Sequence, residues 1–125
     1  MGLAEAAHDE YGPTTGPSVI TPLACALQGV DIDIELVAGS RLAARYGVGT
    51  GTEHATCSFG LDPGWQTLAD EGGMRAVATD ASGEVRAVER PAHPYFIATL
   101  YQPQLRSRPG SPHPVFSGLI EATAR

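Results

Sequence analysis

The stretch DIDIELV, Asp31 to Val37, constrains the fold more tightly than any other part of the chain. Apolar and acidic residues alternate strictly from Asp31 to Leu36. On an extended strand this puts Ile32, Ile34 and Leu36 on one face and Asp31, Asp33 and Glu35 on the other. The pattern calls for a strand with one side in a core and one in water. Three carboxylates in a row also raise the question of a metal site. Same-face neighbours on a strand stand roughly 6.5–7 Å apart, however, too far for adjacent pairs to chelate one ion unaided. The acidic face therefore reads as solvated, where its charge also discourages edge-to-edge association.

Other elements can be placed around this strand. GLAEAAH (2–8) reads as a short helix or the tail of one, and DEYGPTTGPS as a turn-rich loop. VITPLACAL, Val19 to Leu27, is an apolar run broken by Pro22, which suits an edge or bulged strand, or a strand-like loop. SRLAARYG predicts a helix with Ser40 as N-cap and Gly47 past its end, followed by the glycine-rich connector VGTGT. That connector runs from helix to strand, the reverse of the dinucleotide-binding order, and reads as a plain loop. TEHATCSF is strand-like. DPGWQTLADEGG predicts a helix capped by Asp62, with Pro63 in its first turn, Trp65, Leu68 and Ala69 inward, and Gly72 at its stop. MRAVAT, DASG and EVRAVER make a hairpin, and YFIATLY reads as a central strand buried on both sides. The last helix is expected from a cap at Ser111, with Pro112 in its first turn and Val115, Phe116, Leu119 and Ile120 on one face. The sum is one α/β domain over residues 1–125, a mixed β-sheet with flanking helices.

Composition narrows the function. The 125 residues carry a net charge of −6, and all eight basic residues are arginine, with no basic stripe to neutralise phosphates, so nucleic acid is not an expected partner. No run approaches the roughly 18 apolar residues of a membrane span. The acidic start MGLAEAAHDE lacks a signal-peptide layout, and Ala6 stands where myristoylation calls for Ser or Thr. The expected location is the cytoplasm of a bacterium, where Cys25 and Cys57 would stay as thiols.

The end of the chain carries the most specific signal. In RPAHPYFIATLYQPQLRSRPGSPHPVFSGLIEATAR, the run His93, Pro94, Tyr95 and Phe96 precedes a strand. After its exit loop come Ser107, Arg108 and Pro109, then Pro112, His113, Pro114 and Phe116 before a helix. This order and spacing resemble the end of the glutamine amidotransferase domain of CTP synthase. The resemblance extends upstream through TEHATCSFGLDPGW, and GLAEAAH is similar to the tail of the helix that follows the family's nucleophile. It implies a class I amidotransferase-like fold, a flavodoxin-like remnant corresponding to the second half of such a domain.

The resemblance also implies what is missing. The family hydrolyses glutamine with a Cys–His–Glu triad whose cysteine lies in Gly-x-Cys-x-Gly. No such turn occurs here: Cys25 lies in LACAL and Cys57 in ATCSF. Gln102 and Gln104 stand at the positions of the family's His and Glu. A primary amide has no titratable proton near neutrality, so it can neither deprotonate a thiol nor orient an imidazole as a carboxylate does. Glutamine hydrolysis is excluded on these grounds.

Two functions from different classes remain. One is a repurposed small-molecule biosynthetic enzyme catalysing cyclisation, dehydration, isomerisation or hydrolysis by general acid/base chemistry, without metal or cofactor. Glu53, His54 and Glu10 are its candidate acid/base groups, and Gln102, Gln104, Tyr11, Cys57 and Tyr101 its candidate substrate contacts. His54 and Cys57 lie three apart, which on a regular strand puts them on opposite sides. Cys57 also reads plainly as a small core residue, His54 as a solvated strand end, and His93 and His113 as structural. The other function is a non-catalytic binding or regulatory subunit, a pseudo-amidotransferase. A domain of which only the second half is present also leaves sheet edges and faces uncovered. The expectation is a homodimer, or a partner supplying the missing half-domain.

Overall fold

In a computed structural model describing residues 5–12, 16–23 and 27–124, the strands divide between two sheets. The larger has the order β4-β3-β6-β7-β8, with β3 Val30–Leu36, β4 Thr50–Ala55, β6 Arg75–Asp80, β7 Val85–Glu89 and β8 Ile97–Thr99. Every neighbouring pair in it is antiparallel. The smaller joins β1 (Ala7–His8), β2 (Ser18–Pro22) and β5 (Phe59–Leu61) in the order β1-β2-β5, parallel then antiparallel. Among the described residues three α-helices accompany the sheets: α1 Arg41–Tyr46, α2 Gln66–Glu71 and α3 Pro114–Thr123. No helix among the described residues is long and apolar enough to cross a membrane.

The alternation of β3 has the expected consequence. Ile32, Ile34 and Leu36 are buried, and Asp31, Asp33 and Glu35 are exposed. The three apolar side chains form a core with Ala55, Val77, Ala78, Ala87, Leu42 of α1 and Tyr101. α1 is capped as its sequence requires: the buried Ser40 hydroxyl accepts from Ala43 N at 3.0 Å. Gly47 follows in the left-handed region at φ 72°, with its N–H on the Ala43 carbonyl. A second acceptor at this helix start is Glu89 of β7, whose buried carboxyl takes the N–H groups of Arg41 (3.0 Å) and Leu42 (3.3 Å). The β6–β7 hairpin forms as read. In its turn Asp80 Oδ1 accepts from Ser82 N and Glu84 N, and Gly83 supplies the positive φ of 80°.

Several expectations are corrected. Of YFIATLY only Ile97–Thr99 pairs, and β8 is an edge strand, not a central one. Nor is it buried on both sides: Ile97 packs against the core and Tyr101 enters it, whereas Phe96 and Ala98 are exposed, Ala98 and Leu100 lining a small apolar cavity with Ile20 and Leu61 of the second sheet. VITPLACAL is not at an edge, because β2 is the middle strand of its sheet, but it is irregular as expected: its register against β1 slips by one residue at Val19, and Pro22 is tolerated as the last residue. GLAEAAH is not helical where it is described: Ala7–His8 is a strand, and residues 2–4 lie outside the described residues. TEHATCSF breaks after Ala55, and its end joins the other sheet as β5. VGTGT is a loop only in part, since Thr50, Gly51 and Thr52 already belong to β4. The 63–71 helix opens with a 3-10 turn, Pro63–Trp65; Ala69 is buried and Trp65 half-buried, and the Leu68 side chain lies outside the described residues, as does Cys25.

The last helix starts at Pro114 with His113, not Ser111, as its cap: His113 Nδ1 accepts from Val115 N at 3.2 Å. Ser111 instead exchanges backbone bonds with Arg108 in a turn. Leu119 and Ile120 are exposed, Ile120 by 67%, while Val115 and Phe116 are half-buried.

Candidate functional site

The inward face of β4 carries Gly51, Glu53 and Ala55. Because Gly51 has no side chain, the ring of Tyr46 packs over it; a Cβ there would meet the ring at 2.8 Å. The Tyr46 hydroxyl is thereby brought to Glu53 Oε1 at 2.6 Å. Tyr46 also lies 3.0 Å from the Tyr101 hydroxyl and 3.3 Å from His113 Nε2, and His113 Nε2 reaches Glu53 Oε1 at 2.9 Å. Since His113 Nδ1 accepts the Val115 N–H, its proton sits on Nε2 and is donated to Glu53. Glu53, Tyr101 and His113 are all buried, with Glu53 only 2% exposed. Burial pushes both tyrosine hydroxyls far above their ordinary range, so both stay protonated as hydrogen-bond donors. The cluster links α1, β4, the end of β8 and the start of α3. Glu53 Oε2 has no partner among the described residues.

A second constellation lies on the other face of the same strands. Asp31 of β3 pairs in register with His54 of β4, and the two side chains meet at Nδ1–Oδ1 2.9 Å. Arg106 Nη1 lies 3.4 Å from the same Asp31 oxygen. The His54 hydrogen bond, with Arg106 adding to it, holds the Asp31 carboxyl below its usual value. With Leu105 and Arg108, these residues line an open cleft of about 390 Å³. If His54 donates its Nδ1 proton to the ionised Asp31, Nε2 is left as the basic nitrogen, the arrangement a general base requires.

The other sequence-derived candidates are dispersed. Gln102 closes the exit loop onto β4, its N–H on the His54 carbonyl at 2.9 Å and its Oε1 accepting from Thr56 N at 2.8 Å. Gln104, two residues on in the 3-10 turn Pro103–Leu105, lines a different groove of about 350 Å³ with Tyr95, Phe96, Val115 and Phe116. Glu10 and Tyr11 lie in the 3-10 turn Asp9–Tyr11 and interact with His8, Tyr11 being 84% exposed, whereas Tyr101 turns its hydroxyl to Tyr46. Cys57 lies beyond the end of β4, so strand parity no longer sets its direction; its half-buried thiol points to the Phe59 carbonyl at 3.6 Å. His93 caps its own turn, with Nδ1 accepting from Tyr95 N. Among the described residues no group of three or more His, Cys, Asp or Glu side chains could hold a metal ion.

Sequence reading missed Asp31, Arg106 and Arg108 as neighbours of His54, and Tyr46 and His113 as partners of Glu53. For Asp31 a signal existed: pairing DIDIELV antiparallel with the next strand brings one of its acids opposite His54. The arginines are joined to the cleft only by the path of the exit loop.

No protein-family model matches the chain. It is 33% identical over 137 residues to the CTP synthase of Aeropyrum pernix, covering 100% of this chain and 25% of that protein. The CTP synthase of Sphingopyxis alaskensis is 29% identical over 142 residues, covering 99% of this chain and 26% of the relative. The chain thus spans about a quarter of the length of the curated relatives it matches. Among solved structures it superposes on the glutaminase domain of Trypanosoma brucei CTPS with bound acivicin, at TM-score 0.87 and 21% identity, covering 99% of this chain and 53% of that one. A putative GMP synthase protein from Thermoplasma acidophilum matches at TM-score 0.61 and 14% identity, over 84% of this chain and 48% of the other.

Proposed function

Because this chain is a homologue of CTP synthases and has the fold of their glutaminase domain, we propose that it is a glutaminase-inactive relative whose working site is the His54 cleft. There it performs general acid/base chemistry on a small polar molecule, of the kind used for cyclisation, dehydration, isomerisation or hydrolysis in a biosynthetic pathway. The observation that carries this reading is the Asp31–His54 pair, a carboxylate holding Nδ1 of an imidazole that lines an open cleft. Glu53 is less suited to that role: it is enclosed, and its Oε1 is committed to Tyr46 and His113. Glu10 is exposed, and its one ion pair among the described residues is with His8.

In the proposed step His54 Nε2 takes a proton from a substrate C–H or O–H, and the imidazolium so formed is stabilised by Asp31. The same nitrogen then returns the proton to the product or the leaving group. Gln102 fixes the position of His54 through the backbone bond between them.

One observation favours a second, non-catalytic reading. The outer edge of β8 pairs with no other described strand, and Phe96 and Leu119, which line a groove beside it, are exposed. A second copy of the chain, or a chain supplying the rest of such a domain, would find both backbone groups and apolar surface there.

Metabolite profiling of a deletion strain decides between them. The enzyme reading expects one small molecule to accumulate, its level restored by the wild-type gene and not by His54→Gln. In the assay so defined, kcat/KM for His54→Gln should fall by about 10²–10⁴-fold, with a smaller loss for Asp31→Asn. Complementation by His54→Gln as complete as by wild type would leave only the binding-subunit reading.

A further inference from the structure

We infer that the His54 cleft recognises its ligand through an anionic group, a carboxylate or a phosphate, held by Arg106 and Arg108; this rests on the cleft being the working site. The chain as a whole is acidic, with a net charge of −6, yet two of its eight arginines converge on this one cleft beside His54. Among the described residues, Asp31 is the only carboxylate lining it.

The two guanidinium groups are placed by backbone geometry. Arg106 closes the 3-10 turn Pro103–Leu105, its N–H on the Pro103 carbonyl at 3.1 Å. Arg108 sits in a tight turn, exchanging backbone bonds with Ser111 across Pro109 and Gly110, the latter at φ 78°. Its Nη1 is further fixed by the carbonyls of Leu105 (3.1 Å) and Ser107 (3.2 Å). These bonds orient the side chain without neutralising it: among the described residues no carboxylate lies within ion-pair distance of Arg108. The carboxylate beside Arg106, that of Asp31, stands at 3.4 Å and is already engaged by His54 at the shorter distance of 2.9 Å. Both arginines are exposed, so neither packs in the core in place of a ligand role.

An arginine with unused donors in a fixed plane suits a bidentate oxyanion. An anion seated on Arg108 and Arg106 would lie beside His54 and compete with Asp31 for Arg106 alone. A substrate anchored there by its carboxylate or phosphate would present the adjoining C–H or O–H group to the imidazole.

The test needs no knowledge of the substrate. Protein labelled with ¹⁵N is titrated with inorganic phosphate, and separately with acetate, at constant ionic strength set by sodium chloride, while the His54 ring and arginine Nε signals are followed by NMR. A saturable shift of these signals is expected, its midpoint weakened by about tenfold or more in Arg106→Ala/Arg108→Ala. The stronger of the two titrations identifies the head group. Absence of a saturable shift with either anion overturns the inference, and so does an unchanged midpoint in the double variant. The outcome is separable from that of the acid/base reading. His54→Gln should still bind the anion while failing to complement the deletion. Anion binding with full complementation by His54→Gln would sink the acid/base reading alone. His54-dependent activity without anion binding would sink this inference alone.

Discussion

Glu53→Ala should lower the free energy of unfolding by about 3–5 kcal/mol, the cost of removing one partner from a buried polar cluster. The truncation leaves the Tyr46 hydroxyl and the His113 N–H without the acceptor they share, in a region closed to water. Urea denaturation followed by circular dichroism measures it. Glu53→Gln keeps an oxygen in place and should cost less, about 1–2 kcal/mol. The contrast separates lost hydrogen bonds from lost volume. A loss below about 1 kcal/mol for Glu53→Ala would mean that water fills the site and that the cluster does not tie β4 to α3.

Arg86→Ala is expected to be comparably severe, about 3–5 kcal/mol. Arg86 is 2% exposed, and its Nε and Nη2 both reach Asp80 Oδ2, at 2.8 and 2.7 Å. Asp80 also organises the β6–β7 turn through Ser82 N and Glu84 N. Loss of Arg86 therefore leaves a partly buried carboxylate without its cation at the point where the hairpin closes. Asp80→Asn/Arg86→Met, which removes both charges, should recover part of the loss. If the double variant is as unstable as Arg86→Ala, the cost lies in the lost Arg86–Asp80 hydrogen bonds and not in the stranded charge. Both arms can be read by urea denaturation.

How far the sequence led depended on whether a feature is local. The alternation of β3, the Ser40 cap with Gly47 and the Asp80–Gly83 turn are each decided within a few residues, and each forms as read. The order of strands is not local. Tyr95–Tyr101 looks central because it is apolar on both sides, but on its second side Phe96 and Ala98 are exposed, and only Leu100 is partly covered, beside Ile20 of β2 and Leu61 of β5. The sequence points to Ser111-Pro112 as the start of the last helix, but a backbone bridge ties Ser111 to Arg108, and His113 caps the helix instead.

The site followed the same rule. Glu53 and His54 were legible as candidate acid/base groups by residue type; as neighbours on a strand they face opposite ways. Which of them reaches solvent depends on Gly51 admitting the Tyr46 ring on one side and on the exit loop bringing Arg106 and Arg108 to the other. That Gln102 and Gln104 stand where the resemblance puts the family's His and Glu is a reading of the motif alone. What could not be seen is that the two amides part company, one bonded to Thr56 N and one on a separate groove.

The most direct measurement is ammonia release from glutamine by the purified protein, run alongside mass-spectrometric labelling with an electrophilic glutamine analogue. With no Gly-x-Cys-x-Gly turn in the chain and amides at positions 102 and 104, neither ammonia above the protein-free rate nor any adduct is expected. Stoichiometric labelling of Cys57 or Cys25 together with glutamine hydrolysis would contradict this, because the frame would then have kept its glutaminase chemistry through other residues.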